Sequence, residues 1–539
     1  MSYHEPRLSR RTLLGGGAGA LLALGLGGCG SGRQSSGNGS SSGARYTPPA
    51  YVPFDGVKPD LPGSIDGVVP GFLGFPAPPI KRPGFPLPGT APATALLQGT
   101  APSVAPDANM AYRLARTQSG NSLDATVVTA TFYLDKFQVT MAGNDIPDFV
   151  QMAPVPKYPQ LLEKYFTDLS DVLGGDGVKE YPALANIPPA TWKIPQVKGR
   201  LWGIAQPRPP AGSILSTRGD LLRARGIDPN PKITSGQELV ALFAELTDRK
   251  RNQFAMGQDP TSWLLPLVLQ MMGAPNGWRK VDGRFVSQLE SEQMKDALNE
   301  CAKIIAAGYL HPESFSPQTA EWLRAGTICL YHQSFTGWGL WARQEPKWNL
   351  GHVDLPKWSG GGQASIFKSV AGYPAFVAIK KQKSDQRLHE LLRIADFLAS
   401  PFGTQQFLDV NYGAPGVTYD MVKGNPEFRD GQSGNILAGW SYCGGNAQAA
   451  LYTPGQDDVT KAQHSYLTAK MPSGVDDASL GLYSETDVAK SPSYVKRITD
   501  AQRSILTGSA PVSTWDDLVR SWKAAIGDKI ADELGRAAG

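Results

Sequence analysis

From about residue 109 onward, the apolar positions alternate between a period of two and a period of about 3.6. Residues 123–141 are predicted to form one helix, which the turn Gly143-Asn144-Asp145 ends. Residues 147–152 are predicted to form a short apolar strand, and residues 198–205 a turn that leads into another strand. Further helices are predicted at 234–248, 290–307, 384–399 and 401–410, and further strands at 327–331 and 373–379.

Local signals support several of these elements. Thr234 precedes Gln237 by three residues, which is typical of a capping box at the start of a helix. Asp282-Gly283 lies between strand-like flanks and predicts a β-hairpin. Cys301 shares a helix face with apolar residues and is predicted to be a buried thiol. Strands that alternate with helices imply parallel sheets, so the predicted fold class is α/β.

The first 28 residues have the pattern of an export signal. Arg10 and Arg11 precede a run from Gly15 to Gly28 that has no charged residue. A membrane-spanning helix needs about 20 apolar residues, so this shorter run indicates a signal peptide. The paired arginines resemble the twin-arginine export motif, although the Phe and Lys of its consensus are missing. The alternative is a transmembrane anchor that a cysteine follows by chance.

The apolar run ends in Leu26-Gly27-Gly28-Cys29, which resembles a bacterial lipobox. The resemblance implies that Cys29 becomes the first residue of the mature protein and bears on its sulfur a diacylglyceryl group, whose two fatty acyl chains are of the palmitate type. Two acyl chains give stable membrane anchoring where one is marginal. We therefore expect a lipoprotein on the extracellular face of the cell membrane.

Two segments of unusual composition separate this signal from the folded body. Residues 29–45 are mostly Gly, Ser and Asn and are predicted to form a flexible tether. Residues 46–106 are rich in proline and are predicted to lie extended along the body. Phe72, Phe75 and Phe85 are the candidates for side chains that hold this extended segment in place.

Composition excludes several classes of protein. The chain has 539 residues, and its hydrophobic fraction of 41% is too high for a disordered protein. Removing residues 1–28 leaves 49 basic and 47 acidic residues, a formal charge of +2, which argues against a nucleic-acid partner. Four cysteines are too few for a disulfide scaffold. The length suits two or more lobes, each with its own core.

Six short segments resemble, in order and spacing, the extracellular solute-binding proteins that serve ABC importers. They include Gly143-Asn144-Asp145-Ile146-Pro147-Asp148 and the run Thr217-Arg218-Gly219-Asp220-Leu221-Leu222. The other four lie at 166–170, 191–204, 326–330 and 397–401. The resemblance spans about half of the chain, from residue 143 to residue 412, and is to the carbohydrate-binding branch, similar to maltose- and oligosaccharide-binding proteins. The proline-rich start and the C-terminal third have no counterpart in it.

The resemblance implies a two-lobed, periplasmic-binding-protein-like fold of type II with a ligand cleft between the lobes. Lobe 1 is expected to comprise residues 107–212 and 372–415, and lobe 2 residues 213–371 and 416–539. The chain is expected to cross between lobes near 211–216, near 370–377 and once more after residue 412. It further implies a monomer whose lobes close around a sugar and deliver it to ABC permease subunits, and the size of the chain suits an oligosaccharide.

A sugar ring presents apolar C–H faces, on which aromatic side chains pack, and a rim of hydroxyl groups that carboxylates, amides and Arg bind. Trp263 as a stacking ring and Asp259 as a hydroxyl acceptor are the leading pair, because they follow the predicted strand at 254–256. Each could instead serve in helix capping or packing. The complete set of ligand-binding candidates is Gln206, Arg208, Asp259, Trp263, Gln333, Trp338, Tyr373 and Trp440.

No pattern in the sequence indicates catalysis. Outside the Gly/Ser tether the chain has no G-x-S-x-G motif, it has no H-E-x-x-H, P-loop or C-x-x-C motif anywhere, and its histidines lack the spacing of metal ligands. We therefore expect no catalytic residue, no metal and no cofactor. The alternatives to a binding protein are a secreted glycoside hydrolase, which needs two carboxylates across a cleft, and a structural surface lipoprotein. Cys301 and Cys329 are expected to be buried, and Cys443 to be the most reactive thiol.

Overall fold

The computed structural model describes residues 46–539, with positions 65, 90, 154, 370–375, 446 and 448 left out. The signal peptide, the tether, Cys29 and Tyr373 therefore lie outside the described residues. The strands are β1 (Ala93–Gln98), β2 (Leu123–Val128), β3 (Phe149–Gln151), β4 (Gln196–Val197), β5 (Arg200–Leu201), β6 (Ser213–Thr217), β7 (Trp278–Val281), β8 (Arg284–Ser287), β9 (Leu330–Ser334), β10 (Gly351–Val353), β11 (Val377–Ile379), β12 (Tyr419–Val422) and β13 (Asn425–Phe428).

The helices alternate with these strands along most of the chain. They are α1 (Met110–Ser119), α2 (Ala130–Gly143), α3 (Tyr158–Tyr165), α4 (Ser170–Leu173), α5 (Pro182–Ala185), α6 (Gly219–Arg223), α7 (Gly236–Leu246), α8 (Leu264–Met271), α9 (Glu292–Ala306), α10 (Thr319–Ala325), α11 (Phe335–Gln344), α12 (Asp385–Leu398), α13 (Gln405–Asn411), α14 (Asp457–Lys470), α15 (Glu485–Leu506), α16 (Thr514–Trp522) and α17 (Asp528–Ala538). Among the described helices, none is both long and apolar enough to cross a membrane.

Lobe 1 is built on a four-stranded sheet with the order β11-β3-β1-β2. Strand β1 pairs in parallel with β2 and β3, and β11 runs antiparallel to β3. The predicted helix at 123–141 is wrong, because Leu123–Val128 forms strand β2 and α2 begins only at Ala130. The β-branched run Thr126-Val127-Val128 favours a strand, and Thr129 separates the strand from the helix.

Lobe 2 is built on a three-stranded sheet with the order β10-β6-β9. All of its pairings are antiparallel, so the expectation of parallel sheets is correct for the core of lobe 1 and wrong for these strands. Within the part of lobe 2 that the structure describes, parallel pairing occurs as isolated bridges, such as the one between Phe254 and Ile328. Helices α7, α8 and α9 cover this sheet with a large apolar cluster, in which Cys301 is fully buried as predicted.

The elements that carry a local signal form where the sequence predicts them. Helix α7 begins after Ser235, whose side chain accepts a hydrogen bond from the backbone N–H of Glu238. The N-cap is thus one residue later than the predicted Thr234. Strands β7 and β8 form the predicted hairpin, in which Asp282 and Gly283 have φ values of 49° and 80°. A tight two-residue hairpin turn requires a positive φ at both of its central residues, and these two residues have it.

The chain passes between the two lobes at three places. The first passage follows Ile204, which pairs with Val377 of lobe 1, and ends at Ala211, which pairs with Lys368 of lobe 2. The second passage returns from Lys368 to Val377, and the third lies between Cys443 and Leu451. The expected lobe boundary at 415/416 needs correction, because Cys443 belongs to the core cluster of lobe 1. We place the end of the lobe 1 segment near residue 445.

The N-terminal strap is our name for residues 46–89, which contain no regular helix or strand among their described positions. The sequence predicts an extended segment over 46–106, and up to residue 89 its described positions form no regular element. Its later part needs correction, because Ala93–Gln98 forms the central strand β1. Phe72 and Phe75 are buried against Phe402 of lobe 1, as expected of anchoring side chains, and the partly buried Phe85 packs on the core of the same lobe.

The strap contacts both lobes. Its Arg82 guanidinium forms a buried ion pair with Asp396 of α12 and donates to Ser400 Oγ over 2.7 Å. Val68 and Val69 enter a different apolar cluster, which β6, α11 and α14 of lobe 2 form. A Cβ on Gly67 would lie 2.5 Å from Pro210, so the strap also runs directly against the first passage between the lobes.

The C-terminal helices α15, α16 and α17 belong to lobe 2, where α15 packs on α9 and α17 on β8. The segment that precedes α15 also contacts lobe 1. Tyr483 packs against the lobe 1 cluster that contains Tyr158, and Glu485 Oε1 accepts a hydrogen bond of 3.1 Å from the backbone N–H of Lys157. The lobes are thus connected by this contact and by the strap, in addition to the three passages.

Candidate ligand-binding cleft

The carboxyl ends of β1, β2 and β3 lie at one edge of the lobe 1 sheet, because the three strands are parallel. Ligands of open α/β sheets bind outside this kind of edge. The backbone N–H of Gln98 donates to Gln151 Oε1 over 2.7 Å. The Nε2 of Gln151 is buried and has no hydrogen-bond partner among the described residues. This edge therefore holds an amide donor whose hydrogen-bonding capacity is unused.

An aromatic ring that the sequence analysis missed lies at the same edge. Phe132 is the third residue of α2, directly after β2, and is 64% exposed. The next residue, Tyr133, is buried, and its hydroxyl lies 3.1 Å from the carbonyl oxygen of Leu96 and 2.5 Å from that of Gln151. Because Tyr133 is held against the strand ends, Phe132 is turned outward. The strand end at Thr126-Val127-Val128 is the signal that could have identified it.

The first passage between the lobes holds two of the predicted residues. Gln206 is buried, and its Oε1 accepts hydrogen bonds from Arg208 Nη2 over 3.1 Å and from Arg208 Nε over 3.4 Å. Arg208 is half-buried. The structure therefore brings Gln206 and Arg208 together in the segment that joins the lobes.

Strand β9 of lobe 2 organises a second polar group. The amide of Gln258 donates to the carbonyl oxygen of His332 over 2.6 Å and accepts from its backbone N–H over 2.8 Å. The predicted Gln333 is buried, and its Nε2 donates to Ser216 Oγ over 2.7 Å. Its Oε1 has no partner among the described residues. Gln333 thus offers a buried acceptor near the end of β9.

Trp263 joins this group through His332. The Trp263 carbonyl oxygen accepts a hydrogen bond from His332 Nδ1 over 2.8 Å, and the two rings meet edge to face at 5.6 Å. Burial lowers the pKa of His332 to about 4, so the ring is neutral at pH 7, with the proton on Nδ1. Its Nε2 is then an acceptor, buried and without a partner among the described residues. Trp263 itself is half-buried.

Asp259 is engaged within its own turn. Its Oδ1 accepts hydrogen bonds from the Thr261 backbone N–H over 2.9 Å and from the Thr261 hydroxyl over 2.6 Å. Its Oδ2 lies 3.7 Å from Arg503 of α15. The carboxylate therefore caps the turn before Trp263.

Trp338 and Trp440 are core residues, which does not fit their predicted role in stacking on a sugar. Trp338 is 1% exposed and packs edge to face on Phe335 and Tyr466. Trp440 has no exposed surface and packs edge to face on Phe149 at 5.9 Å. Neither ring has a face open to solvent. Both lie close to passages between the lobes. Their places in the sequence indicated this location, but not the direction in which their rings point.

The histidine, cysteine and carboxylate side chains of the described residues form no group of three or more that could hold a metal ion. Cys301, Cys329 and Cys443 are free and buried. Burial raises the pKa of the Cys443 thiol, so its expected reactivity is wrong. The loop around it is glycine-rich, but the side chain points into the core of lobe 1.

No family model matches this chain. Two curated proteins of Bacillus subtilis (strain 168) are similar to it. Lipoprotein LipO is 22% identical over 444 residues, which cover 78% of this chain and 86% of that protein. The polygalacturonan/rhamnogalacturonan-binding protein YtcQ is 21% identical over 445 residues, with the same coverage of both chains.

Solved structures extend the likeness to the fold. The alginate-binding protein AlgQ2, solved without calcium ion, superposes with a TM-score of 0.61 at 16% identity and covers 85% of this chain and 99% of its own. The N-glycan transport solute binding protein NgtS from Streptococcus pneumoniae has a TM-score of 0.62 at 17% identity and covers 83% of this chain and 98% of its own. NgtS has also been solved in complex with Man1GlcNAc. At these identities the likeness concerns the fold.

Proposed function

We propose that this chain, which has the two-lobed α/β fold of the extracellular solute-binding proteins, captures a carbohydrate between its lobes and delivers it to an ABC permease. The observation that supports this most directly is the pair of polar edges beside the passages between the lobes. Gln151 and Phe132 lie on the lobe 1 side, and Trp263 and Gln333 on the lobe 2 side. Amides and half-exposed aromatic rings are the side chains that bind sugars.

The site residues of this proposal are polar or aromatic side chains at the two sheet edges and in the first passage between the lobes. They comprise Gln206, Arg208, Trp263 and Gln333 from the sequence prediction, together with Phe132 and Gln151. The names of similar proteins supply the ligand class, since YtcQ is named for binding polygalacturonan and rhamnogalacturonan, and AlgQ2 for binding alginate. An oligosaccharide rather than a single sugar is the ligand we propose.

A glycoside hydrolase is the weaker alternative. Such an enzyme needs two carboxyl groups about 5 to 9.5 Å apart on either side of the bond that it cleaves. The predicted site contains one carboxylate, Asp259, and that group is engaged with Thr261 and Arg503. The structural neighbours are named as binding proteins. We therefore propose binding without chemical conversion.

A glycan panel tests this function. The full chain in detergent would be titrated with oligogalacturonides, rhamnogalacturonan fragments, alginate oligosaccharides and N-glycan fragments, with melting and calorimetry as readouts. A ligand that binds only the native state adds about 2.7 kcal/mol of stability at a hundredfold excess over Kd. We expect at least one glycan to raise the melting temperature and to be recovered intact. Shortened products would indicate a hydrolase, and no shift with any glycan would favour a structural lipoprotein.

We further propose that the chain is exported by the twin-arginine route, lipidated at Cys29 and held as a monomer on the outer face of the membrane. The similar LipO is itself named a lipoprotein. Replacing Cys29 with Ala is expected to move the protein from the membrane fraction to the medium or to stop its processing. Normal signal cleavage combined with unchanged membrane retention would contradict the anchor.

A further inference from the structure

A groove of about 650 Å³ lies entirely within lobe 2, away from the polar edges described above. The end of α8, one face of α9 and the loop from Lys357 to Phe367 form its walls. Its volume falls within the range of roughly 300–1,000 Å³ that is typical of small-molecule sites. None of the sequence-predicted site residues lines it.

A rigid aromatic ring, Trp358, forms part of the wall. The Trp358 backbone N–H donates to the carbonyl oxygen of Met271 over 2.8 Å, and its carbonyl oxygen accepts from the N–H of Gly236 over 2.9 Å. The indole lies so close to Gly236 that a Cβ there would be 2.4 Å from the ring. Trp358 is nevertheless only half-buried. Because the ring is already immobile, a ligand that stacks on it costs little side-chain entropy.

Polar groups surround this ring. Asp296 and Glu300 lie one turn apart on the groove face of α9, and Lys357 and Ser359 flank the ring on the opposite wall. Gln270 lies at the end of α8, where its Oε1 accepts a hydrogen bond of 3.2 Å from the Phe367 N–H. The Gln270 Nε2 is buried and has no partner among the described residues.

We propose that this groove is a second carbohydrate-binding site, independent of the interlobe site. An aromatic platform suits the C–H face of a pyranose ring, and carboxylates with hydroxyl and amide groups suit its hydroxyl rim. A purely apolar ligand would form no hydrogen bond with the charged groups of Asp296 and Lys357, which line the groove. The proposal takes its ligand class from the proposed function, but it does not require a sugar to bind between the lobes. A site confined to one lobe holds a glycan whether the lobes are open or closed.

Fluorine NMR on the full chain separates the two sites. The chain would be labelled with 5-fluorotryptophan, and its 12 Trp resonances partly assigned with Trp358→Phe and Trp263→Phe. The same glycan panel would then be titrated. We expect the Trp358 resonance to shift saturably with at least one glycan. We expect Asp296→Ala to weaken that titration about tenfold, as for loss of a hydrogen bond to a charged group. Asp532→Ala, which removes an exposed carboxylate on α17, should not change it.

The outcomes are distinguishable. If a glycan shifts the Trp263 resonance and leaves Trp358 unmoved at every concentration, the groove proposal is wrong and the proposed function stands. If Trp358 shifts and Trp263 does not, the groove binds sugar and the interlobe assignment is wrong. If neither resonance responds to any glycan in the panel, both proposals are contradicted. If Asp296→Ala leaves the titration of the Trp358 resonance unchanged, the proposed role of Asp296 in binding the sugar hydroxyl groups is wrong.

Discussion

Phe132 and Tyr133 are neighbours with opposite surroundings. Tyr133 is 3% exposed and holds the strand ends of lobe 1, whereas Phe132 is 64% exposed at the same edge. Exposure of a large aromatic ring is not unusual by itself. Its position at the carboxyl edge of a sheet, near the Gln151 Nε2 that has no partner among the described residues, is the reason for proposing it as a ligand contact.

We therefore predict that Phe132→Ala weakens glycan binding about tenfold and leaves the unliganded melting temperature nearly unchanged. An exposed ring contributes little to the core, but it contributes contact area to a stacked sugar. Val139→Ala is the matched control, because Val139 is 67% exposed on the same helix, two turns farther from the strand ends. Calorimetric titration should find the control unaltered. Equal affinities in Phe132→Ala and wild type would remove Phe132 from the site.

His332 predicts a pH dependence of stability. Its folded pKa of about 4 lies below the unfolded value near 6.5, so the unfolded state binds more protons between these values. The stabilising contribution is complete above about pH 6.5 and is lost as the pH falls towards 4. When the pH falls from 7 to 5, the free energy of unfolding of the wild type should drop by about 2 kcal/mol more than that of His332→Gln. Urea unfolding at both pH values measures this, and identical pH dependence in variant and wild type would contradict it.

At the scale of elements, predictions succeeded where a short-range signal specified them. The Asp282-Gly283 turn and the apolar face that contains Cys301 both depend on neighbours in the sequence, and the hairpin and α9 form as predicted. The boundary between β2 and α2 was missed, because the apolar residues of 123–141 fit both periods. The antiparallel sheet of lobe 2 was also missed, because strand direction depends on partners distant in the sequence.

The site was predictable in part for the same reason. Trp263 and Gln333 were proposed from their places near strand ends; Trp263 contacts His332, and Gln333 donates a hydrogen bond to Ser216 of the neighbouring strand β6. Trp338 and Trp440 have similar places in the sequence, but their rings point into the lobe cores. The direction of a side chain depends on packing between elements, which no local pattern specifies.

The strap is an element without regular secondary structure, and its strongest polar contact is the Arg82–Asp396 ion pair. Asp396 is 5% exposed, and its Oδ1 accepts a hydrogen bond of 2.6 Å from the Ala183 N–H. Both carboxylate oxygens therefore have a partner, since Oδ2 pairs with Arg82. Removing one partner of a buried pair leaves a charge without compensation, which typically costs about 3–5 kcal/mol.

We predict that Arg82→Ala lowers the free energy of unfolding by about 3 kcal/mol. The matched control is Arg429→Ala, which breaks the Arg429–Asp420 pair, whose side chains are 45% and 48% exposed. Exposed pairs contribute about 0–1 kcal/mol, so the control should unfold almost like wild type. Chemical denaturation measures both. A loss below about 1 kcal/mol for Arg82→Ala would show that the strap is not held by this pair.

For the whole molecule, the strap couples the two lobes. Phe72 and Phe75 pack on lobe 1, and Val68 and Val69 on lobe 2, within eight residues of one another. Neither lobe can therefore unfold without disturbing contacts of the strap with the other. We infer that the lobes behave as one cooperative unit in spite of their separate cores.

The corresponding prediction is a single calorimetric transition for the wild-type chain, with equal calorimetric and van't Hoff enthalpies. The double variant Val68→Asp and Val69→Asp should resolve into two transitions, because burying a carboxylate in this cluster is strongly unfavourable. Val52→Asp places a single carboxylate at a strap position that is 39% exposed and serves as the control. Two transitions in wild type, or one in the double variant, would show that the strap does not couple the lobes.

The described chain begins on lobe 1, and this has a mechanical consequence. The partly buried Tyr46 packs on the lobe 1 core, and the Ala50 N–H donates to the carbonyl oxygen of Gly175 over 2.8 Å. A pulling force on the N-terminal end is therefore transmitted to lobe 1 before it reaches Val68 and lobe 2. If this end is fixed at a surface, as we propose, lobe 1 is the lobe that is held in place, and any movement of the lobes relative to each other displaces lobe 2.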